Sequence, residues 1–292
     1  MKKDKNKYKT KNLDKSNYAL QDKNSDKNTE YENNTKKVVY FSDELNDDFA
    51  SNKIKTKPLK ENFKYVKRGP FWTFAAWFMY YIIAVPFGSI LCYIKFRLKV
   101  KNRKVLKENR KKGYFLYANH TQNAPDAFLP ALSLYPKRNY VMVHEDAVSV
   151  RGLKNLVLML GGIPVANTMN NVRLMKECIE KRIKNKHTVT IYPEAHVWPY
   201  CNFIRNFKSA SFRYPVELNS PVYCSTMVYR ERKGKNKKPR AIIYIDGPFY
   251  PDKTLNKKEA IEKLRNEVFN TMNSRAHTPD NYEYIKYMKK ED

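Results

Sequence analysis

Tyr114-Phe-Leu-Tyr-Ala-Asn119-His120-Thr121-Gln-Asn-Ala-Pro-Asp126 sets a histidine and a carboxylate where a short apolar strand should end. A histidine at such a place can take a proton from a hydroxyl if a partner holds one tautomer and steadies the imidazolium. Asp126 is the nearest carboxylate able to do so. The same residues have a plainer reading. Asp126 precedes Ala-Phe-Leu-Pro-Ala-Leu and could cap a helix, with His120 a hydrogen-bonded loop histidine. The spacing alone does not decide between them.

Outward from this stretch, the chain from Gly113 alternates strands and helices. Candidate strands are 114–118, 139–143, 163–166, 188–192, 222–229 and 241–245, each short, apolar and rich in β-branched or aromatic residues. Candidate helices cover 127–134, 152–160, 169–184 and 256–272; in the third, Val172, Met175, Ile179 and Ile183 form one apolar stripe that reads as core packing. The alternation predicts an α/β fold, a mixed and mostly parallel sheet flanked by helices, in which sites gather at strand ends. His120 falls at such an end.

Upstream the composition changes twice. Residues 1–55 are rich in Lys, Asn, Asp and Ser and poor in aliphatic residues, which predicts a disordered basic tail; Val38 to Phe41 is its one apolar cluster. Pro70 to Ile94 (PFWTFAAWFMYYIIAVPFGSILCYI) carries no charge, and Arg68 and Lys95 bracket it. An unbroken helix of this length reaches across roughly 30 Å of hydrocarbon, so a span must be considered. Pro86 and Gly88 interrupt the run, which predicts a bent or hairpin insertion, and lysines and arginines crowd both flanks. Positive charge at both ends places both on the cytoplasmic side and favours a monotopic anchor. The expected organisation is a tail over 1–55, an N-terminal membrane-associated helical segment with basic flanks over 56–112, and a catalytic domain over 113–292.

The 292 residues carry a net charge of +28, which attracts anions of several kinds: nucleic acid, acidic headgroups, or phosphorylated ligands. No zinc finger, ribonucleoprotein motif or Gly-rich phosphate loop is present, and no nucleic-acid partner is expected. The cysteines at 92, 178, 201 and 224 form no disulfide framework or zinc spacing. His144-Glu145-Asp146 is a poor metal group, because neighbours on a strand point to opposite faces; no metal is expected. A Gly-x-Ser-x-Gly elbow is missing and Cys178 lies in a predicted helix, so a covalent nucleophile lacks support.

Three motifs in order make residues of about 70 to 250 resemble the glycerolipid acyltransferase family that includes 1-acylglycerol-3-phosphate acyltransferases. The first is Asn119, His120 and Thr121 followed by Asp126. The third is an apolar strand leading into Pro193-Glu194-Ala195-His196. The fourth is Ser220-Pro221-Val222-Tyr-Cys-Ser. The departures are specific. The spacer between His120 and Asp126 is one residue longer than usual, which a bulge ending at Pro125 could absorb. Ala195, His196 and Val197 replace the family's Gly-Thr-Arg, so its phosphate-binding arginine is missing. Gly162-Ile-Pro-Val-Ala-Asn167 is a weak second motif.

The resemblance implies catalysis at the cytoplasmic face of a membrane. His120 deprotonates an acceptor hydroxyl as it attacks an acyl thioester, Asp126 orients the ring, polar donors steady the oxyanion, and no cofactor is required. It implies acyl-CoA or acyl carrier protein as donor, membrane lipids as partners, and a lysophospholipid acceptor with 1-acylglycerol-3-phosphate foremost. Substrate contacts are expected at Asn119, Thr121 and Gly162. Glu194 would position acceptor or loop, or pair with a lysine; His196 would touch substrate or pack near Trp198. Arg173 and Arg205 would substitute for the missing phosphate ligands, or sit solvated on a helix and a loop. The competing class is a basic, membrane-tethered binding protein for nucleic acid or anionic lipid, with His120 and Asp126 structural; it predicts salt-sensitive binding without turnover.

Overall fold

The computed structural model describes residues 29–32, 36–50, 56–122, 125–150, 152–234 and 237–291. Strands β1 (Thr29–Glu32) and β2 (Lys36–Phe41) come first, and β2 pairs in parallel with β10 (Ile285–Lys289) from the far end of the chain. The expected tail is therefore corrected over 36–50, while 1–28, 33–35 and 51–55 lie outside the described residues. Val38 and Val39, the apolar cluster of that segment, are buried. Their partner strand is distant in sequence, so local composition does not reveal it.

The uncharged run forms one helix, Pro70–Phe96, made of α1 (Pro70–Phe78), a π-helical segment (Met79–Ala84) and α2 (Val85–Phe96). The predicted hairpin at Pro86 is thus corrected. A proline lacks an N–H and crowds the carbonyl four residues back. Here the turn before it is widened, with Val85 N–H reaching Tyr80 O, five residues back. By length and composition this helix could cross a membrane. In the fold it lies along the domain. Tyr80, Ala84, Gly88, Cys92 and Phe96 recur at helical intervals on its buried side, while Phe71, Phe74, Phe87, Ile90 and Ile94 are exposed. Gly88 permits the approach, because a Cβ there would stand 3.2 Å from the Phe128 ring.

After α2 the chain adds β3 (Lys99–Lys101), β4 (Tyr114–Ala118), α3 (Leu129–Leu134), β5 (Asn139–Val143), α4 (Lys154–Met159) and β6 (Gly162–Pro164). It continues through α5 (Met169–Lys184), β7 (Thr188–Ile191), α6 (Arg213–Leu218), β8 (Val222–Arg230), β9 (Arg240–Phe249) and α7 (Lys257–Ala276). One seven-stranded sheet has the order β3-β9-β8-β4-β7-β5-β6. Pairing is parallel except between β8 and β9, so the expected mixed, mostly parallel sheet flanked by helices is what forms. The boundary expected at 113 shifts, since β3, a lysine-flanked strand too polar to read as one, already belongs to this sheet.

The sheet is buried on both faces. Phe115 and Tyr117 of β4 point into a core shared with Ile179 of α5 and Leu264 and Val268 of α7. Tyr114 and Leu116 point the other way, toward Cys92 and Phe96 of α2 and Leu129 of α3. This alternation across a strand with no polar residue is what a central parallel strand between two helical layers requires. The helix Pro70–Phe96 is therefore part of one layer, on the side where α3 begins.

Candidate functional site

β4 runs out at Ala118, and the next residues hang at the carboxyl end of the central strand, beside the end of its parallel neighbour β7. His120 Nδ1 lies 2.7 Å from Asp126 Oδ2. Asp126 sits in a single 3-10 turn, Pro125–Ala127, and its Oδ2 also accepts the Gln122 N–H at 2.9 Å. The carboxylate acceptor assigns the Nδ1 proton to the bond with Asp126, leaving Nε2 as the basic nitrogen. Asp126 is 2% exposed and His120 17%, so the pair is sheltered with only its histidine open to a ligand. Burial pushes the Asp126 carboxyl up, opposed by the hydrogen bond and charge of His120 and by the Gln122 N–H. The helix-cap reading of Asp126 is displaced, because its oxygen is spent on His120 and the intervening loop. The bulge expected before Pro125 would fall at 123–124, outside the described residues.

Three residues that the motifs do not name hold this pair and its loop. The Tyr192 ring stacks on His120, centroids 4.3 Å apart, and its hydroxyl donates to Asp126 O at 2.6 Å. Trp198 N–H donates to His120 O at 3.1 Å, and Tyr200 N–H to Thr121 O at 3.0 Å. The position of Tyr192, at the mouth of β7 and just before Pro193-Glu194, was the available signal.

Glu194 is 5% exposed, and both its carboxylate oxygens are bonded within the fold. Its Oε2 accepts the His120 N–H at 2.9 Å and Arg205 Nη2 at 3.1 Å, while Oε1 accepts the Arg205 N–H at 3.0 Å. It joins the His120 loop to Arg205, and its cation is an arginine rather than the expected lysine. Arg205, expected as a phosphate ligand, is corrected: it is 1% exposed, stacked over Trp198 at 4.8 Å, with Nη2 also donating to His196 O. Its charge is consumed by the carboxylate that places His120.

The remaining expected contacts divide. Asn119 and Thr121 are internal rather than substrate-facing. Asn119 exchanges two hydrogen bonds with the Met227 backbone, at 3.0 and 2.8 Å, and the Thr121 hydroxyl lies 2.8 Å from that of Tyr229. Such pairing is what buried polar groups need, and it ties the loop to β8. Arg173 stands on the exposed face of α5, bonded to Glu177 at 2.6 Å and to Asn170 at 3.1 Å. Gly162 lines an apolar cavity of about 100 Å³ between the helix Pro70–Phe96 and the sheet, shared with Tyr80, Val85, Ala127, Phe128 and Val141. The cavity meets the site at Ala127, next to Asp126. His196 is half-buried, 3.7 Å from Asp48.

The turn after Glu194 explains the family's usual glycine. Ala195 adopts φ 64°, in the left-handed region where a side chain costs about 1 kcal/mol. His144 Nδ1 lies 3.4 Å from Asp146 Oδ1, but Glu145 is bonded elsewhere, to Leu59 N–H and the Asn167 amide, and no group of three metal-ligating side chains occurs among the described residues.

Residues 97–229 match the protein family described as Acyltransferase. The fold is similar to the crystal structure of the 1-acyl-sn-glycerophosphate (LPA) acyltransferase PlsC from Thermotoga maritima. The TM-score is 0.50 at 16% identity, over 74% of this chain and 91% of that one. No curated protein matches by sequence. The His120–Asp126 pair, Tyr192, Glu194 and Arg205 all lie within the stretch that matches the acyltransferase family.

Proposed function

We propose that the protein transfers a fatty acyl group from the thioester of acyl-CoA or acyl carrier protein to the hydroxyl of a lysophospholipid. The observation that carries this reading is the 2.7 Å His120–Asp126 bond at the end of β4, with an apolar cavity beginning at the next residue. His120 Nε2 takes the acceptor proton as the hydroxyl oxygen attacks the thioester carbonyl. Asp126 keeps the ring in that tautomer and stabilises the imidazolium, which then protonates the departing thiolate. Proton, acyl group and thiol balance without an acyl-enzyme. The cavity gives the first methylenes of an acyl chain an apolar contact beside the reacting carbon.

The exposed side of the helix Pro70–Phe96, with Phe71, Phe74, Phe87 and Ile90 facing outward, supports monotopic attachment to a bilayer, its basic flanks on anionic headgroups at the cytoplasmic face. The buried side of the same helix is committed to the domain, which speaks against a free span. Vesicle flotation with Phe74→Lys and Ile90→Lys should release the protein at moderate salt; unchanged flotation would move the membrane contact elsewhere.

The acceptor follows less directly, since Arg205 is buried against Glu194 and Arg173 is an exposed residue of α5 paired with Glu177. 1-Acylglycerol-3-phosphate remains the first acceptor to offer, with lysophosphatidylethanolamine and lysophosphatidylglycerol beside it. The detergent-solubilised protein would be given an acyl thioester and each acceptor, following free thiol and diacyl product together, with His120→Ala as control. Matched thiol and product, lost in the variant, is the expected result. No thiol release with any folded preparation would sink the acyl-transfer reading and return weight to a binding protein.

A further inference from the structure

The N-terminal segment 36–50 lies outside the matched domain, yet it touches the backbone that holds His120. Val197 N–H donates to Asp48 Oδ1 at 3.2 Å, and Phe49 N–H donates to Val197 O at 3.1 Å. The Trp198 indole N–H donates to Asp47 O at 2.8 Å, and Glu44 Oε1 accepts the Asn206 N–H at 2.8 Å. Phe41 and Phe49 flank the Trp198 ring, centroids at 4.8 and 5.2 Å. Tyr287 of β10 stacks on its other side at 4.8 Å and donates to Pro199 O at 2.8 Å. Trp198 and Tyr200 in turn donate their backbone N–H groups to His120 O and Thr121 O.

We propose that residues 36–50 are a positioning strap for the general base: together with β10 they clamp the Val197–Tyr200 turn, and that turn fixes the loop that carries His120. The clamp supplies what the third motif of this chain lacks. Ala195 holds a strained conformation and no arginine follows it, and the strap engages both backbone groups of Val197. Asp48 is the side chain that makes the contact. Burial raises its carboxyl, but the nearby His196 ring and the N–H groups of Ala50 and Val197 outweigh this and lower it, so it is anionic when it accepts from Val197. The strap is not a catalytic group, since it reaches the chemistry only through Trp198 and Tyr200.

The part of this inference that concerns turnover rests on the acyl-transfer reading; the clamp itself does not. The test uses the full chain with Asp48→Ala and with Asp48→Ala/Phe49→Ala, both at partly exposed positions, and with Asp48→Asn, whose amide oxygen can still accept from Val197. Hydrogen exchange is read at the Trp198 and Tyr200 amides, and kcat and KM for the thioester on the same preparations. The double variant should speed exchange at both amides about tenfold or more, corresponding to the loss of roughly 1.4 kcal/mol of local stability. It should lower kcat about tenfold with KM within twofold, and Asp48→Asn should stay near wild type in both readouts. Unchanged exchange in the double variant overturns the clamp. Faster exchange with unchanged kcat overturns its role in positioning the base. If the wild-type chain itself shows no turnover, acyl transfer fails as the function, and the exchange result alone decides the clamp.

Discussion

The two loops that meet at the site have departed from their family pattern in opposite ways. The first, from Asn119 to Asp126, is one residue longer than usual and still closes the His120–Asp126 bond at 2.7 Å, with every polar side chain of Asn119, Thr121 and Gln122 bonded inward. The third-motif turn keeps its length and its proline and glutamate but loses glycine and arginine, leaving Ala195 at a positive φ and Val197 held from outside. Length is tolerated where side chains anchor both ends of a loop. Identity matters where the backbone conformation itself is demanding. The comparison separates a loop that carries chemistry from a turn that carries position.

The largest effect belongs to the first loop. His120→Ala should lower kcat/KM about 10³-fold or more, and Asp126→Asn about 10²-fold, the range that a lost general base and a lost tautomer partner occupy. Both losses should appear in kcat with donor KM little changed. Retained turnover in His120→Ala would make the first loop structural and collapse the distinction.

Next comes the residue that joins the two. Glu194→Ala would leave Arg205 buried at 1% exposure with its carboxylate gone, a change that costs about 3–5 kcal/mol, and would release the His120 N–H as well. Thermal unfolding should show a fall in Tm of ten degrees or more for this domain size, roughly 3 °C per kcal/mol. Arg205→Met, which removes the charge and keeps the volume, should be milder. If instead Glu194→Ala is fully stable and loses only acceptor affinity, the turn touches substrate and not merely the loop.

Much of this was legible beforehand for physical reasons that can be named. β4, β5 and α5 fall at the residues expected from their apolar patterns, because central strands and a one-sided helix write burial directly into the sequence. The His-Asp pair was legible because both residues follow one strand. What escaped was set by partners far along the chain. β2 needs β10, Arg205 needs Glu194, and the helix continues through Pro86 only because the turn before it widens. Exposure was misjudged in the same way: Asn119 and Thr121 look like ligands for a substrate until β8 is placed against them.

A smaller and opposite effect is expected at the strained turn. Ala195→Gly removes a Cβ from a residue at φ 64° and should stabilise the fold by about 1 kcal/mol, less the entropy that glycine returns to the unfolded chain. Turnover should stay within about twofold. A destabilised variant would mean that the methyl group makes a compensating contact, and the turn would no longer count as strained.

The smallest effect sharpens the comparison from outside it. Arg173 lies on α5 with its guanidinium bonded to Glu177 one turn along the helix, both side chains more than half exposed. Such a pair contributes about 0.3–0.5 kcal/mol to the helix and nothing to a site that its side chain does not reach. Arg173→Ala should therefore leave the KM for 1-acylglycerol-3-phosphate within twofold and kcat unchanged, at low salt as well as high. A tenfold rise in acceptor KM, diminishing as salt screens it, would place the acceptor phosphate over α5. The third-motif turn would then have lost its arginine because another helix supplies the charge, and position and phosphate recognition would be divided between two elements instead of one.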